Sequence, residues 1–227
     1  MNRPVLGVIG GMGVWATAHF YEMITHMQTV SAEQEYLDIL LYSKPSIPDR
    51  TAFITGKCDE SPLPALLQAA RTLKGAGVAC IAVPCITCHA FYEELASAVD
   101  IPVLNMLKET ALYAAGCGCS KVGLLATEGT LQSGLFRKQL ESQGVEVVVP
   151  STHGQDNLMA MIYDIKCGRE FNPAALDVIT EELFEKGAKN IILGCTELSL
   201  AVKHRKHGYI DALAVLAWAA LERFDVI

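Results

Sequence analysis

The stretch GVACIAVPCIT, residues 77–87, has a counterpart later in the chain in GAKNIILGCT, residues 187–196. Each stretch begins with a glycine, continues as an apolar run and reaches a cysteine at the same distance from that glycine, so that Cys85 matches Cys195. A short apolar run bounded by glycine is typical of a strand buried on both faces of a parallel sheet. Two matching strands within one chain indicate an old internal duplication.

A second pair of stretches repeats in the same order. LGVIGGMGVWATAHF, residues 6–20, matches VGLLATEGTLQSGLF, residues 122–136, and the match pairs Gly13 with Gly129. Each stretch is typical of a strand, a glycine loop and the start of a helix. The sequence therefore predicts two similar halves, each with such a unit and, further along, a strand that ends near a cysteine.

Apolar runs alternate with amphipathic segments of helix length, which is typical of an α/β protein. The predicted strands lie at residues 5–9, 37–42, 78–83, 102–105, 122–126, 145–149 and 190–193. We predict an α/β fold with two similar, pseudo-symmetric α/β domains, each built on a parallel sheet. The N-terminal domain would span residues 1–105, with the C-terminal segment 208–227 packing back on it, and the C-terminal domain would span residues 106–207. Because ligands bind beyond the carboxyl ends of parallel strands, Cys85 and Cys195 would face one cleft between the domains.

The composition argues against several classes of protein. No run approaches the roughly 18 apolar residues of a membrane-spanning helix, and the N-terminus lacks the basic and apolar regions of a secretory signal. We therefore expect a cytoplasmic protein with no membrane partner, whose eight cysteines stay reduced. The formal net charge of −7 argues against a nucleic-acid partner, because phosphates require a basic surface.

The cysteine motif VPCITCH, residues 83–89, is open to several interpretations. Cys85 and Cys88 have the spacing of a thioredoxin-type redox pair, but that function leaves the matching Cys195 unexplained. A zinc site would need Cys85, Cys88 and His89 together with a distant pair such as Cys117 and Cys119. That pair looks more like a helix end, so we expect no metal. The interpretation we favour for Cys88 and His89 is that they pack in the first turn of the following helix.

A third interpretation uses one thiol from each half. Exchange of a proton at a carbon between two faces of a planar intermediate requires an acid and a base on opposite sides. A free thiol has a pKa near 8.5, which neighbours can lower and burial can raise, so one cysteine can be held as thiolate and the other as thiol. Such a pair needs no organic cofactor.

Several motifs in this order resemble the aspartate/glutamate racemase family, whose members work without pyridoxal phosphate. They are LGVIGGMG at 6–13, KPSIPDRT at 44–51, VPCITCH at 83–89, LLATEGT at 124–130, IYDIKCG at 162–168 and GCTEL at 194–198. The resemblance covers nearly the whole chain and implies two similar α/β domains with the site between them. It also makes a homodimer the expected assembly.

The resemblance assigns the acid/base thiols to Cys85 and Cys195. It further implies that Arg50 and Lys166 bind the carboxylates of a dicarboxylic amino acid, a role that suits the charge and donor geometry of these side chains. Other residues expected to shape the site or contact the substrate are Met12, Gly13, Ile86, Thr87, Thr127, Thr130, Thr196 and Glu197. Glu197 would tune the neighbouring Cys195 thiol or stabilise a helix start.

The chain departs from the family pattern at three places. Ile86 stands where the family carries an asparagine that is expected to hold the substrate, and isoleucine offers no polar group. Lys44 replaces an asparagine, and the run that follows Asp211 lacks the family's usual hydroxyl and histidine. A lost hydrogen bond to a charged ligand commonly costs about 1.5 to 3 kcal/mol. These departures predict weakened activity or an altered substrate.

We predict cofactor-independent racemisation of an acidic amino acid, aspartate rather than glutamate. One alternative is a related isomerase or decarboxylase of small dicarboxylates that uses the same paired cysteines. Another is a dicarboxylate-binding protein without catalysis. The glycines Gly11 and Gly13, with Ala16, also match the loose dinucleotide-binding pattern, but no acidic residue ends the next strand, so we do not expect NAD.

Overall fold

A computed structural model describes residues 3–202 and 208–226. Residues 1–2, 203–207 and 227, which the predicted domain ranges include, lie outside the described residues. Within the described part, no helix is both long and apolar enough to cross a membrane.

The first sheet is parallel, with the strand order β2-β1-β3. Its strands are β1 (Val5–Gly10), β2 (Asp38–Ser43) and β3 (Cys80–Ala82). The predicted strand at residues 102–105 is present only as an isolated bridge between Ile81 and Val103. Pro102 lacks an amide hydrogen and a helix begins at Met106, so the run is too short to extend the ladder.

The second sheet repeats this arrangement, with the order β5-β4-β6-β7 and only parallel pairs. Its strands are β4 (Lys121–Ala126), β5 (Glu146–Val148), β6 (Asn190–Gly194) and β7 (Tyr209–Asp211). β4 is flanked by β5 and β6 as β1 is flanked by β2 and β3. The predicted fold class, two similar α/β units with parallel sheets, is therefore confirmed.

Helices connect the strands and cover both sheets. They are α1 (Val14–Met27), α2 (Arg50–Ile54), α3 (Leu63–Gly75), α4 (Tyr92–Ser97), α5 (Met106–Gly116), α6 (Glu128–Ser133), α7 (Leu135–Ser142), α8 (Thr152–Lys166), α9 (Pro173–Glu185), α10 (Leu198–Ala201) and α11 (Ala212–Arg223), with short 3₁₀ helices at Glu33–Glu35 and Ile86–Phe91. Side-chain caps stabilise the N-termini of several helices. Asp49, Asn105 and Thr127, for example, accept an amide hydrogen from the first turn of α2, α5 and α6.

The apolar core has three parts. One lies mainly between the first sheet and α3 with α4, and another between the second sheet and α8 with α9. The third is shared by the two halves and includes residues of α1, α5, α7 and α11. Phe20 and Phe136, which the internal repeat pairs, are both fully buried in this shared core.

The C-terminal segment contacts both halves. Its strand β7 pairs with β6 in the second sheet, while α11 packs against α1 of the first half and against α5. The expectation that this segment packs back on the N-terminal domain stays a prediction. The domain boundary between residues 105 and 106 stays a prediction.

Candidate active site

The loop after β1 requires glycine for steric reasons. Gly11 has a φ of +93°, and a Cβ there would lie 2.6 Å from the backbone of Lys44. At Gly13 a Cβ would lie 2.7 Å from Glu197 Oε1, and the Gly13 N–H donates a 3.0 Å hydrogen bond to that oxygen. The glycine loop of the first half therefore contacts the cysteine motif of the second half directly.

Cys85 lies just beyond β3, at the start of the 3₁₀ helix Ile86–Phe91. Its side chain is buried, and the pKa of its thiol falls to about 6. The neighbouring Cys88 thiol lowers this pKa most, burial opposes the shift, the cations Arg50 and Lys166 lower the pKa further, and Glu197 raises it. The lowered pKa favours the thiolate form of Cys85.

Cys195 occupies the matching position directly after β6. Its thiol donates a 3.0 Å hydrogen bond to Glu197 Oε2. Burial and the neighbouring Glu197 carboxylate raise the pKa of this thiol well above its ordinary value, against the opposing effect of Lys166. Cys195 therefore keeps its proton, and the two halves contribute one thiolate and one thiol.

Glu197 is buried and fully engaged. Besides Gly13 and Cys195, its carboxylate accepts a 3.2 Å hydrogen bond from the Thr196 hydroxyl. A carboxylate that accepts the S–H favours the protonated thiol. The role of Glu197 in tuning Cys195 stays a prediction.

Arg50 is the first residue of α2 and is buried. Its Nη1 donates hydrogen bonds to the carbonyl oxygens of Ile47 and Pro48 at 3.2 and 2.9 Å. Burial disfavours its charge, yet Cys85, Cys88 and Asp49 raise the pKa of Arg50 above its ordinary value. Its buried Nε has no hydrogen-bond partner among the residues that the structure describes. An unsatisfied buried donor on a cation is suited to an anionic ligand.

Lys166 ends α8, and its Nζ lies 5.5 Å from the centre of the Tyr163 ring one turn earlier. Burial disfavours the ammonium, but Glu197, Cys195 and Cys85 raise the pKa of Lys166 above its ordinary value. Its charge acts on both thiols and on Glu197, so Lys166 is near the cysteine motifs of both halves.

Three of the predicted threonines form one buried cluster across the two halves. The Thr87 hydroxyl lies 3.0 Å from that of Thr127 and 3.1 Å from that of Thr130, and the latter two are 3.1 Å apart. Thr127 also caps α6. The hydroxyls therefore satisfy one another at the junction between the 3₁₀ helix and α6.

His89 is a structural residue in this arrangement. Its Nδ1 lies 3.0 Å from the carbonyl oxygen of Cys85, and its Nε2 accepts the amide hydrogen of Met106 at 3.0 Å. Burial lowers the pKa of His89, so the imidazole is neutral with its proton on Nδ1. With both ring nitrogens occupied by backbone groups, His89 packs as expected. The described residues contain no group of three or more His, Cys, Asp or Glu side chains arranged to hold a metal ion.

Ile86 is buried in the core that the two halves share. Met12 lies on the other side of the motif, where its Sδ is 3.3 Å from Cys88 Sγ. The roles of Ile86 and Met12 toward a substrate stay predictions.

Two residues next to predicted site residues were missed. The Tyr163 hydroxyl donates a 3.1 Å hydrogen bond to Asp49 Oδ2, which joins α8 of the second half to the start of α2 in the first. Although burial opposes it, the hydrogen bond from the Ala52 amide and the nearby cations hold the pKa of Asp49 below its ordinary value. The available signal was position, since Asp49 precedes Arg50 and Tyr163 lies one helical turn before Lys166.

Comparison with known proteins agrees with this geometry. The family profile Asp/Glu/Hydantoin racemase matches residues 9–220. The broad specificity amino-acid racemase RacX of Bacillus subtilis is 29% identical, over 97% of this chain and 98% of that protein. The structure of Picrophilus torridus aspartate racemase is similar with a TM-score of 0.85 and 29% identity, covering 98% of this chain and 94% of that one. An aspartate racemase homologue from Pyrococcus horikoshii OT3 gives a TM-score of 0.78 and 26% identity, covering 99% and 100% of the two chains. The chain therefore belongs to the Asp/Glu/Hydantoin racemase family and is an isomerase of the racemase class.

Proposed function

We propose that this amino-acid racemase acts on an acidic amino acid, aspartate in preference to glutamate, and that Cys85 and Cys195 exchange the α-proton. The observation that carries the proposal is the pair of buried thiols at matching positions after β3 and β6, one with its pKa lowered and the other with its pKa raised. A base and an acid supplied by the two halves are what inversion at a carbon requires.

The reaction begins with the Cys85 thiolate, which removes the α-proton from one face of the substrate. The electron pair of the broken C–H bond moves into the α-carboxylate, where the positive charge of Arg50 stabilises it. The Cys195 thiol then delivers its proton to the opposite face of the carbon. The enzyme is left with a Cys85 thiol and a Cys195 thiolate, which is the form that accepts the opposite enantiomer. The two thiols provide both proton transfers, so the mechanism needs no organic cofactor.

The cations support an acidic substrate. The unpartnered Nε of Arg50 suits a carboxylate oxygen, and Lys166 provides a second positive charge near the two cysteine motifs. We favour aspartate as the substrate because the similar Picrophilus torridus structure is that of an aspartate racemase.

A neutral or basic amino acid is the second candidate. Lys166 already faces the Glu197 carboxylate, so its charge is partly neutralised before a substrate binds. The Bacillus subtilis relative is named as an enzyme of broad specificity. A substrate without a side-chain carboxylate would need only Arg50.

The test is a turnover assay without added cofactor on L-aspartate, L-glutamate, L-alanine and L-lysine, with chiral separation of the products. We expect D-aspartate to form fastest. Replacing either thiol, in Cys85→Ser or Cys195→Ser, should lower kcat/KM by about 100- to 10,000-fold, the usual contribution of acid–base catalysis. Cys119→Ser is the matched control, because Cys119 is buried and its Sγ contacts Asn190 outside the site.

Full activity in either site variant would contradict the two-cysteine mechanism. Faster turnover of alanine or lysine than of aspartate would favour the second candidate. The homodimer stays a prediction, which light scattering of the purified protein would test by measuring its mass in solution. The cytoplasmic location also stays a prediction.

A further inference from the structure

Helix α2, whose first residue is Arg50, is held near both ends by the second half of the molecule. Before its first turn, Asp49 accepts the hydrogen bond from the Tyr163 hydroxyl of α8. After its last turn, the Lys57 ammonium lies 2.7 Å from a carboxylate oxygen of Glu128, the first residue of α6. Both contacts lie at the surface, where polar pairs contribute little to stability, so a firmer contact is needed to fix α2.

That contact lies in the interior, between α2 and α6. Gly129 is the second residue of α6, and a Cβ built on it would lie 2.9 Å from Thr51 Cα, 3.1 Å from Thr51 Oγ1 and 3.3 Å from Thr51 Cβ. Both Gly129 and Thr51 are buried. The nearest of these atoms belongs to the backbone of α2, so it cannot turn away as the end of a side chain can. The two helices can therefore approach this closely only because residue 129 has no side chain.

The same turn of α6 also contacts the cysteine motif of the first half. The hydroxyls of Thr127 and Thr130, on either side of this glycine, lie 3.0 and 3.1 Å from that of Thr87 in the 3₁₀ helix. Helix α2 packs against the same 3₁₀ helix. One turn of the second half therefore contacts both the helix that begins at Arg50 and the turn that follows Cys85.

The internal repeat gives Gly129 a counterpart in Gly13. Gly13 makes the equivalent approach from the first half to the second, where a Cβ would lie 2.7 Å from Glu197 Oε1. Each half therefore places a glycine against the opposite half, at the same point of its strand, loop and helix unit.

We propose that Gly129 is a positioning residue: because it has no side chain, α6 can hold α2 in place and so fix the Arg50 guanidinium beside the cysteine motif. The inference rests on the proposed role of Arg50 in binding a substrate carboxylate. A methyl group at position 129 would push α2 away by ~0.5 to 1 Å, the difference between an approach of 2.9 Å and ordinary contact at 3.4 to 4 Å. A misplacement of about 1 Å at an active site can cost about 100-fold in rate.

The position of Arg50 can be followed without any substrate. In ¹⁵N-labelled protein the Nε–H of Arg50 gives an NMR signal, which Arg50→Lys identifies because the signal disappears. This donor is buried and has no hydrogen-bond partner among the residues that the structure describes, so its signal reports on its surroundings and on the access of water. In Gly129→Ala the signal should shift, and its hydrogen should exchange faster with water.

Gly116→Ala is the matched control, because it also adds a methyl group within a helix. No other part of the described chain comes within 4 Å of the added carbon. This variant should leave the Arg50 signal and kcat/KM unchanged and keep or slightly raise Tm, since alanine stabilises a helix relative to glycine. An unchanged Arg50 signal in Gly129→Ala would overturn the inference.

The kinetic consequence is a loss that passes through Arg50. On the best substrate, Gly129→Ala should lower kcat/KM by about 10- to 100-fold, the effect of losing one hydrogen bond to a charged group. Added to Arg50→Lys, the same change should cost little further activity, because the two residues act through one contact. An equally large loss in the Arg50→Lys background would show that Gly129 acts on another part of the site, and the inference would fail.

A second pair of variants provides the comparison if Gly129→Ala does not fold. Thr51→Gly removes two of the three atoms that the new methyl group would meet, and the contact with Thr51 Cα remains. The Arg50 signal should therefore still differ between Thr51→Gly and Thr51→Gly/Gly129→Ala, and identical signals would contradict the inference. If the signal moves as expected but the protein racemises no amino acid, the positioning role stands and the proposed function fails.

Discussion

Glu197 is the residue through which the two halves influence each other's chemistry. It accepts hydrogen bonds from the glycine loop of the first half and from the Cys195 thiol of the second. Its negative charge raises the pKa of Cys195 and works against the ionisation of Cys85. One carboxylate therefore affects both proton-transfer groups in the same direction.

Glu197→Gln removes this charge while keeping the size of the side chain. The Cys195 thiol should then lose its proton at lower pH, and because Cys195 must be protonated to act as the acid, the basic limb of kcat/KM should move to lower pH. The acid limb, set by Cys85, should move the same way by a smaller amount. Rates measured from pH 5 to 10 test this.

Glu146→Gln serves as the control, since Glu146 pairs with Lys121 at the protein surface. If both limbs stay in place in Glu197→Gln while kcat falls, Glu197 acts by shape and not by charge.

At the residue scale, the sequence predicted best those site residues that the internal repeat aligns with each other. Cys85 and Cys195 could be found because the repeat aligns them and parallel strands deliver matching positions to the same edge of a sheet. The 3.3 Å contact between Cys88 Sγ and Met12 Sδ could not be found, because it joins residues 76 positions apart.

At the scale of elements, a hydrogen bond joins α8 of the second half to the N-terminus of α2 in the first half. The Tyr163 hydroxyl binds Asp49, and the same Tyr163 ring lies under the Lys166 ammonium. Cys85, Cys195 and Glu197 are all nearly inaccessible to solvent, so side chains around them must move before a substrate reaches them.

Tyr163→Phe removes the hydroxyl and keeps the ring beneath Lys166. The closed arrangement loses one hydrogen bond to a carboxylate at a partly exposed site, so KM should rise about 2- to 10-fold with little change in kcat. Steady-state kinetics on the best substrate measure both constants.

Tyr113→Phe is the matched control, because Tyr113 is exposed on α5 outside the site. An unchanged KM, or a fall in kcat alone, would show that the Tyr163 hydroxyl does not help to hold the closed form.

Elements differed in how well they could be predicted. The six strands that form as expected are apolar runs, and four of them have glycine or proline directly beside them. Strand β7 was missed, because Tyr209–Asp211 is only three residues long and runs directly into the apolar helix α11. The contact between Tyr163 and Asp49 joins residues 114 positions apart, and no local pattern marks such a pair.

At the scale of the whole molecule, the duplication explains why the site lies where it does. The two sheets have the same order in three strands, and the second adds β7; they share a core through α1, α5, α7 and α11. The cysteine motif of each half lies beyond the carboxyl end of its strand. This arrangement could be predicted from the repeat. Which of the two thiols has the lower pKa could not, because this depends on the neighbours of each one, Cys88 and Arg50 beside Cys85 and Glu197 beside Cys195.

The most direct measurement follows the α-hydrogen during the first turnovers in D₂O with the best substrate of the panel. Product and remaining substrate are separated by chirality, and their deuterium content is determined by mass spectrometry. If one thiol removes the proton and the other delivers a solvent-derived hydrogen, the first product carries deuterium at the α-carbon while the remaining substrate still carries protium. Product that keeps the protium of its own substrate would show a single base acting on both faces, and would contradict the proposed exchange between Cys85 and Cys195.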